Sequence, residues 1–253
     1  MRVFVTGFTS SLVQVMLKNI SGINLVKINS LTNSNSDAMT FNLDVLKDFK
    51  KGDYILHAAW NMKKRNIQES RKINIQGSVD FFESLNMEQK NSFIFISSVG
   101  AIKGTKSIYG NHKLDIENHI LPKGGRVIRL GILFDKLADN LIFLQDLKRT
   151  TRYLPFIPNF SGKNKIYFIT ELKHLNDYFN LLKNNSVPKN FNCYDEYPIN
   201  FNQLVKNILK IDKQIIPFPI SITYIFIKII NKIMPSFPLS VDSFGYIIAM
   251  KKK

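Results

Sequence analysis

The chain has a single cysteine, Cys193, in 253 residues. One thiol excludes an internal disulfide framework and any metal site that needs several cysteines. The four histidines, His57, His112, His119 and His174, are not spaced like zinc ligands. The sequence therefore predicts no metal site, and Cys193 is interpreted as a small, half-buried apolar residue.

Long apolar runs are also absent. No uninterrupted apolar stretch approaches the roughly 20 residues that span a bilayer. The first apolar run, at residues 3–5, is followed directly by Thr6 and Gly7, whereas a signal peptide has a longer apolar stretch and a cleavage site. These features predict a cytoplasmic protein.

Acidic residues are few, because 19 aspartates and glutamates oppose 35 lysines and arginines, which gives a formal net charge of +16. The basic residues are spread along the chain, whereas nucleic-acid-binding proteins concentrate them on one face with aromatic residues between them. No nucleic-acid partner is therefore predicted. A basic surface would still attract phosphorylated ligands or an anionic membrane through long-range electrostatics.

Short β-rich runs alternate with helical stretches in the first half of the chain, a pattern typical of a doubly wound parallel sheet with helices on both faces. Strands are predicted at residues 2–5, 24–28, 39–43, 54–59, 93–96 and 127–130, and helices at 11–20, 67–85 and 107–118.

Beyond about residue 135 this rhythm changes. The later part has a predicted strand at 166–170 and predicted helices at 141–148, 171–184 and 200–209. The sequence therefore predicts a Rossmann-like α/β domain at 1–135 and a small C-terminal substrate lobe at 136–253. Strands of the main sheet can extend into this later part, while the lobe is expected over the carboxyl edge of the sheet, where such folds bind ligands.

A tyrosine and a lysine stand four residues apart, at Tyr109 and Lys113, shortly after a strand that ends in Ser97 and Ser98. In a helix the two side chains lie on one face, one turn apart. The ammonium can then stabilise the phenolate, whose ordinary pKa near 10 is too high for a general base at neutral pH. Either serine can hydrogen-bond a substrate oxygen beside the phenol, and Ser98 is preferred because it lies nearer the strand end.

In order along residues 1 to about 210, six short motifs resemble the extended or atypical short-chain dehydrogenase/reductase family, in its NAD-dependent epimerase/dehydratase branch. The motifs are the loop at 5–13, the strand at 53–59, the segment at 74–78, the Ser97–Ser98 pair, Tyr109 and Lys113 followed by Glu117, and the segment at 129–131.

The resemblance implies an NAD(P)-dependent epimerase or reductase that acts on a nucleotide-linked sugar by reversible hydride transfer. Tyr109 would be the acid/base, Lys113 would lower the pKa of its phenol, and Ser98 would orient the substrate. A dehydratase is less favoured, because Val99 and Gly100 offer no acid beside Ser98. A homodimer formed through the helices at 67–85 and 107–118 is also implied.

The residues that the resemblance assigns to NAD or NADP lie on several strand ends. They are Gly7, Phe8, Thr9, Ser10, Ser11, Leu12, Asn29, Ser30, Asn42, Leu43, Ala58, Ala59, Trp60, Asn74, Ser97, Tyr109 and Lys113.

The glycine loop departs from the family pattern, because Ser10 and Val13 replace its second and third glycines while Gly7 is kept. The second glycine lets the backbone approach a pyrophosphate, and the third permits close helix–strand packing. Ser10 retains a hydroxyl that can donate to a phosphate. The branched Val13 predicts a shifted helix or weaker dinucleotide binding, so the alternative is a non-catalytic Rossmann-fold binding or regulatory protein.

The end of the second strand leaves the choice of cofactor open. It reads Lys27-Ile28-Asn29-Ser30, without the carboxylate that usually binds the ribose hydroxyls of NAD. Asn29 and Ser30 can hydrogen-bond a hydroxyl or a phosphate, and Lys27 would favour the 2′-phosphate of NADP.

An apolar segment at 220–234, interrupted by Lys228, Asn231 and Lys232, precedes the final three lysines. Packing of this segment on the substrate lobe or across a dimer contact is the preferred interpretation. Weak association with a membrane surface, through an amphipathic helix with basic anchors, is the alternative.

Overall fold

The computed structural model describes residues 1–31, 38–61, 67–105, 107–134, 155–159, 166–217 and 219, with four single positions beyond them. The strands are β1 (Arg2–Thr6), β2 (Asn24–Lys27), β3 (Ser30–Leu31), β4 (Thr40–Phe41), β5 (Tyr54–His57), β6 (Phe93–Ser98), β7 (Arg126–Leu130), β8 (Ile132–Phe134), β9 (Ile157–Asn159), β10 (Ile166–Tyr167), β11 (Ile169–Glu171), β12 (Asn190–Cys193), β13 (Ile199–Asn200) and β14 (Ile215–Pro217).

The helices follow the same numbering in chain order. They are α1 (Ser11–Asn19), α2 (Ile67–Ser70, the π-helical Arg71–Gln76 and Gly77–Glu83, in direct succession), α3 (Met87–Asn91), α4 (Ile108–Ile120), α5 (Leu172–Lys183) and α6 (Phe201–Gln203 and the π-helical Leu204–Ile208). Two short 3-10 helices lie at Asp44–Asp48 and Leu121–Lys123.

Six parallel strands form the central sheet, in the order β12-β7-β6-β5-β1-β2. The chain moves outward from β1 to β2 on one side, and then from β5 through β6 to β7 on the other. The strand order therefore reverses between β1 and β5, and open α/β sheets bind ligands at the carboxyl ends of the strands beside such a reversal. The predicted Rossmann-like α/β fold is confirmed.

Each face of the sheet is covered by two helices, as a parallel sheet requires. On the first face, α1 and α5 pack on the side chains that include Val3, Ile96 and Ile128. On the second face, α2 and α4 pack on the side chains that include Phe95 and Val127. Consecutive residues of a strand point to opposite faces, so the two layers of core side chains alternate along β6 and β7.

Two elements beyond residue 135 belong to this sheet. β12 pairs with β7, and the apolar side of α5, with Leu175, Tyr178 and Phe179 buried, packs on the first face. The helix predicted at 171–184 thus covers a face of the sheet, and its expected place over the carboxyl edge is wrong. The reason is its apolar stripe, which is buried against the first face of the sheet. The division into two domains at residue 135 stays a prediction.

A third, smaller core lies outside the sheet. It contains Ile157, Tyr167, Ile169 and side chains of α6. The strand predicted at 166–170 divides here into β10 and β11, which pair with β13 and β8 respectively. Between them the Phe168 carbonyl accepts a hydrogen bond from the Ile132 amide, 2.7 Å away.

Of three other predicted elements, one differs from the structure and two lie wholly or mostly outside the described residues. The strand predicted at 39–43 is the two-residue β4, which pairs antiparallel with β3. The helix predicted at 141–148 and most of the apolar segment at 220–234 lie outside the described residues. Among the helices that the structure describes, none combines the length and apolarity needed to cross a membrane.

Candidate active site

The turn between β1 and α1 packs closely against the backbone that follows β5. Gly7 has φ +68°, and a Cβ on it would lie 2.6 Å from the Ala59 amide nitrogen, so only glycine fits there. Ser10 caps α1 by accepting a hydrogen bond from the Val13 amide at 3.4 Å. The Ser10 hydroxyl keeps its own hydrogen, which it can donate to an anion at this helix N-terminus.

Val13, in the third glycine position of the family loop, is fully buried and packs in the first-face core with Val3 and Met16. The sheet thus accommodates its branched side chain as part of the core. Weaker dinucleotide binding stays a prediction.

A buried chain of hydrogen bonds fixes the end of β5. Thr6 Oγ1 lies 2.7 Å from His57 Nδ1, and His57 Nε2 lies 2.9 Å from Ser78 Oγ. Because the Ser78 hydroxyl donates to the Asn74 carbonyl at 2.6 Å, it must accept from His57, which places the imidazole hydrogen on Nε2. Burial, and second the charge of Lys113, lower the pKa of His57 to about 3, so the ring is neutral.

The loop after β5 is held at two points. The Ala59 amide donates to Thr6 Oγ1 at 3.3 Å, and the Asn61 amide donates to Asn74 Oδ1 at 2.8 Å. The Asn74 side chain also donates to the Asn61 carbonyl at 3.2 Å. Asn74 therefore fixes the backbone on which Trp60 is carried.

Tyr109 and Lys113 lie on one face of α4, which begins where Ser107 accepts a hydrogen bond from the Gly110 amide at 3.2 Å. Lys113 is only 3% exposed, and its Nζ donates to the Ile96 carbonyl at 2.7 Å. The Nζ atom lies 5.5 Å from the centre of the Tyr109 ring. The structure thus brings the predicted pair together at the carboxyl end of β6.

Aromatic rings surround the Lys113 ammonium. The centre of the Trp60 ring is 3.8 Å from Nζ and that of Phe95 is 4.5 Å away. The Trp60 and Tyr109 rings meet edge to face, with their centres 5.3 Å apart. Burial lowers the pKa of Lys113 to about 7, against the charge of Glu117, which raises it.

Glu117 is itself buried one turn after Lys113 and pairs with Arg129 of β7. The two Nε–Oε distances are 3.0 and 3.2 Å. The hydrogen bonds to Glu117 raise the pKa of Arg129, so its guanidinium is held in this ion pair.

The two serines at the end of β6 have different surroundings. Ser98 Oγ accepts a hydrogen bond from the Gly100 amide at 3.2 Å. Ser97 is 2% exposed, and its hydroxyl has no hydrogen-bond partner among the described residues. Strand alternation places Ser97 on the same face as Phe95 and α4. Ser98 is the last residue of β6, and its hydroxyl lies against the turn at Gly100. The choice of Ser98 as the substrate-orienting residue stays a prediction.

Three residues that the resemblance assigns to the dinucleotide lie close to the end of β2, namely Asn29, Ser30 and Asn42. Asn29 and Ser30 are exposed, and the Asn29 carbonyl accepts a hydrogen bond from the Asn42 amide at 2.9 Å. The Asn42 side chain accepts from the Asp44 amide at 2.8 Å, which starts the following 3-10 helix. Phe8, Leu12 and Leu43 are half-buried and Thr9 is exposed.

Gly110 lets α4 approach the connection that follows β6. A Cβ at this position would overlap the Gly100 carbonyl oxygen and lie 3.1 Å from Thr105 Cγ2. Replacing a helical glycine with alanine normally stabilises a protein by about 1 kcal/mol. Here we expect Gly110→Ala to lower the free energy of unfolding by about 1–3 kcal/mol, measured in urea. Asn118→Ala, on the exposed side of the same helix, is the control, and stabilisation by both variants would contradict the prediction.

Among the described residues, no cluster of His, Cys, Asp and Glu side chains could hold a metal ion. The same edge of the sheet carries a phenol, a buried ammonium and serine hydroxyls beside a helix N-terminus, groups that can donate or accept protons and bind anions.

No protein-family model matches the chain, and no curated protein is similar to it in sequence. Solved structures do match its fold. Three are dTDP-4-dehydrorhamnose reductase from Bacillus anthracis in complex with NADP (TM-score 0.65, 16% identity, 87% of this chain and 85% of that one), UDP-N-acetylglucosamine 4-epimerase from Bacillus cereus (0.63, 16%, 87% and 86%) and UDP-glucose 4-epimerase from Thermotoga maritima with UDP-glucose (0.59, 19%, 87% and 86%). At these identities the likeness is one of fold, and it confirms the fold that the sequence motifs predict.

Proposed function

We propose that the protein is an NAD(P)-dependent reductase or epimerase of a nucleotide-linked sugar. The observation that carries the proposal is the placement of Tyr109 beside the buried Lys113, at the carboxyl edge where the strand order reverses. The solved structures that share the fold include reductases and epimerases of nucleotide-linked sugars. The net charge of +16 also suits a ligand that carries phosphates.

The described residues fit a dinucleotide. The Gly7 turn leaves no side chain between β1 and the end of β5, and α1 directs its first amides and the Ser10 hydroxyl toward the same space. These groups would hold the pyrophosphate, and Asn29 and Ser30 would contact the adenosine ribose. The orphaned Ser97 hydroxyl lies deeper, on the face of α4, where a ligand group could satisfy it.

Residues of the chain would carry out the proton transfer to and from the substrate oxygen. Tyr109 would donate its phenolic proton to the substrate oxygen when a carbonyl becomes an alcohol, and would take that proton back in the reverse direction. The positive charge of Lys113 would favour the phenolate and so lower the pKa of the phenol. The bound nicotinamide would supply or accept the hydride. Ser98 would orient the substrate oxygen.

A cytoplasmic location and a homodimer formed through α2 and α4 accompany this proposal. The two helices lie side by side and are joined by an ion pair between Arg71 and Asp115, with 3.0 Å between nitrogen and oxygen. NAD and NADP both remain candidates, since the end of β2 carries no acid.

Calorimetric titration with NAD, NADH, NADP and NADPH tests the proposal, after the purified protein has been checked for cofactor that it already holds. We expect micromolar or tighter binding of one pair. Ser10→Ala should weaken that binding, while Ser21→Ala, an exposed serine away from the turn, should not. If a folded, cofactor-free sample binds none of the four, the enzyme is excluded and the non-catalytic binding protein is favoured.

A further inference from the structure

Trp60 covers the amino group on which the proposed chemistry depends. Its indole ring stands 3.8 Å from Lys113 Nζ, closer than the rings of Phe95 and Tyr109. The Ile96 carbonyl accepts one of the three ammonium hydrogens, so a ring or the strand backbone meets Nζ on several sides. With Lys113 only 3% exposed, a hydroxyl of a ligand cannot reach Nζ while the indole stays in place.

The backbone on each side of Trp60 is fixed, but the side chain is not enclosed. Ala59 is bonded to Thr6 and Asn61 to Asn74, both through backbone amides. Trp60 itself is only partly buried. A change in the position of the indole therefore requires rotation of the Trp60 side chain, and not a movement of the loop.

We propose that Trp60 is a movable cover over Lys113, and that the ribose of a bound dinucleotide takes the place of the indole. This inference rests on the proposed function, because it needs a dinucleotide at this edge of the sheet. Contact between an ammonium and an indole is favourable, so the ligand has to replace that contact with hydrogen bonds to Nζ. The cover therefore weakens dinucleotide binding while it shields the ammonium from water.

Affinity measured for three variants tests the cover. Removal of the indole in Trp60→Ala should tighten dinucleotide binding by roughly 2- to 30-fold, the range that corresponds to the lost ammonium–indole contact. Phenylalanine is a weaker cation–π partner than tryptophan. The affinity of Trp60→Phe should therefore lie between the affinities of the unaltered chain and Trp60→Ala. Tyr197→Ala, which removes an aromatic ring that is 83% exposed, is the control and should leave the affinity unchanged.

Fluorescence gives a second readout that does not involve activity, since Trp60 is the sole tryptophan of the chain. Quenching by acrylamide should increase when the oxidised dinucleotide is added, because the indole moves off Lys113 into solvent. The oxidised form is used because the reduced nicotinamide absorbs the light that tryptophan emits.

The outcomes separate the cover from the proposed function. If the unaltered chain binds a dinucleotide but Trp60→Ala binds it more weakly, Trp60 is a stacking contact and the cover is overturned. Unchanged quenching on binding overturns it as well. If neither protein binds any dinucleotide, the proposed function is overturned and the cover with it.

Discussion

Tyr109→Phe should lower turnover by about 10²- to 10⁴-fold and leave dinucleotide affinity unchanged. The substitution removes the phenolic hydroxyl, which is the proposed proton donor, and nothing else. The ring that meets Trp60 edge to face, with centres 5.3 Å apart, is kept. Turnover is measured with the nucleotide-linked sugar that reacts fastest in a panel, by following both the cofactor absorbance and the sugar product.

Tyr197→Phe is the matched control for this experiment, because Tyr197 is exposed and lies outside the proposed site. It should behave like the unaltered chain. A Tyr109→Phe protein that keeps its full rate would show that another group transfers the proton. Equal losses of binding and turnover would indicate that the substitution has disturbed the site itself.

Lys113→Met should raise the free energy of unfolding by about 1–4 kcal/mol at pH 7, the range observed when a buried ion pair is replaced by apolar residues of similar volume. Lys113 is fully buried, and burial lowers its pKa from 10.5 to about 7. Protonation of the Lys113 amine therefore costs more free energy in the folded chain, where the amine is buried, than in the unfolded chain, where water surrounds it. The same substitution should abolish turnover, because the phenol of Tyr109 loses its nearby charge.

The pH dependence of this effect has a defined sign. Between pH 7 and 10.5 the unfolded chain binds more protons at Lys113 than the folded chain, so the unaltered protein gains stability as the pH rises. The advantage of methionine is greatest at and below about pH 7, and it disappears toward pH 10.5. Urea unfolding at several pH values measures the difference, with Lys103→Met, an exposed lysine, as the control. A loss of stability that is equal at every pH would contradict the prediction.

Local sequence was sufficient to predict those parts of the candidate site that lie within one helix or strand. The spacing of Tyr109 and Lys113 fixes their common face once a helix forms, and Ser107 caps that helix where it begins. The strands and their order along the chain follow from the alternation of β-rich and helical runs. Gly7 was assigned by its match to the family's glycine loop, and the structure shows the left-handed backbone that requires glycine there.

Contacts between distant segments could not be predicted in this way. Trp60 follows β5 and Lys113 lies in α4. The sequence around either residue does not predict that the indole packs on the ammonium. The hydrogen bonds that join Thr6, His57 and Ser78 likewise connect a strand, its neighbour and a helix. The position of Ser97 on the face of α4 was accessible in principle, because it follows Phe93 and Phe95 at the two-residue period of a strand.

β12 was missed for a different reason. Its sequence, Asn190-Phe191-Asn192-Cys193, is half polar and lacks the apolar run of a central parallel strand. It lies at the edge of the described sheet, where no further strand pairs with it among the described residues and polar side chains reach solvent. Pairing with β7, more than local composition, makes this segment a strand.

The position of α5 and β12 also has a consequence for synthesis on the ribosome. Side chains such as Val3, Leu56 and Ile128 emerge early, yet part of their cover is supplied by residues 172–193. Until those residues have been translated, only α1 packs on this face of the nascent sheet and part of the face is uncovered. Exposed apolar surface of this kind invites aggregation. A chain that stops after residue 135 would lack this part of the cover, and a chaperone that binds apolar surface would find a target there during translation.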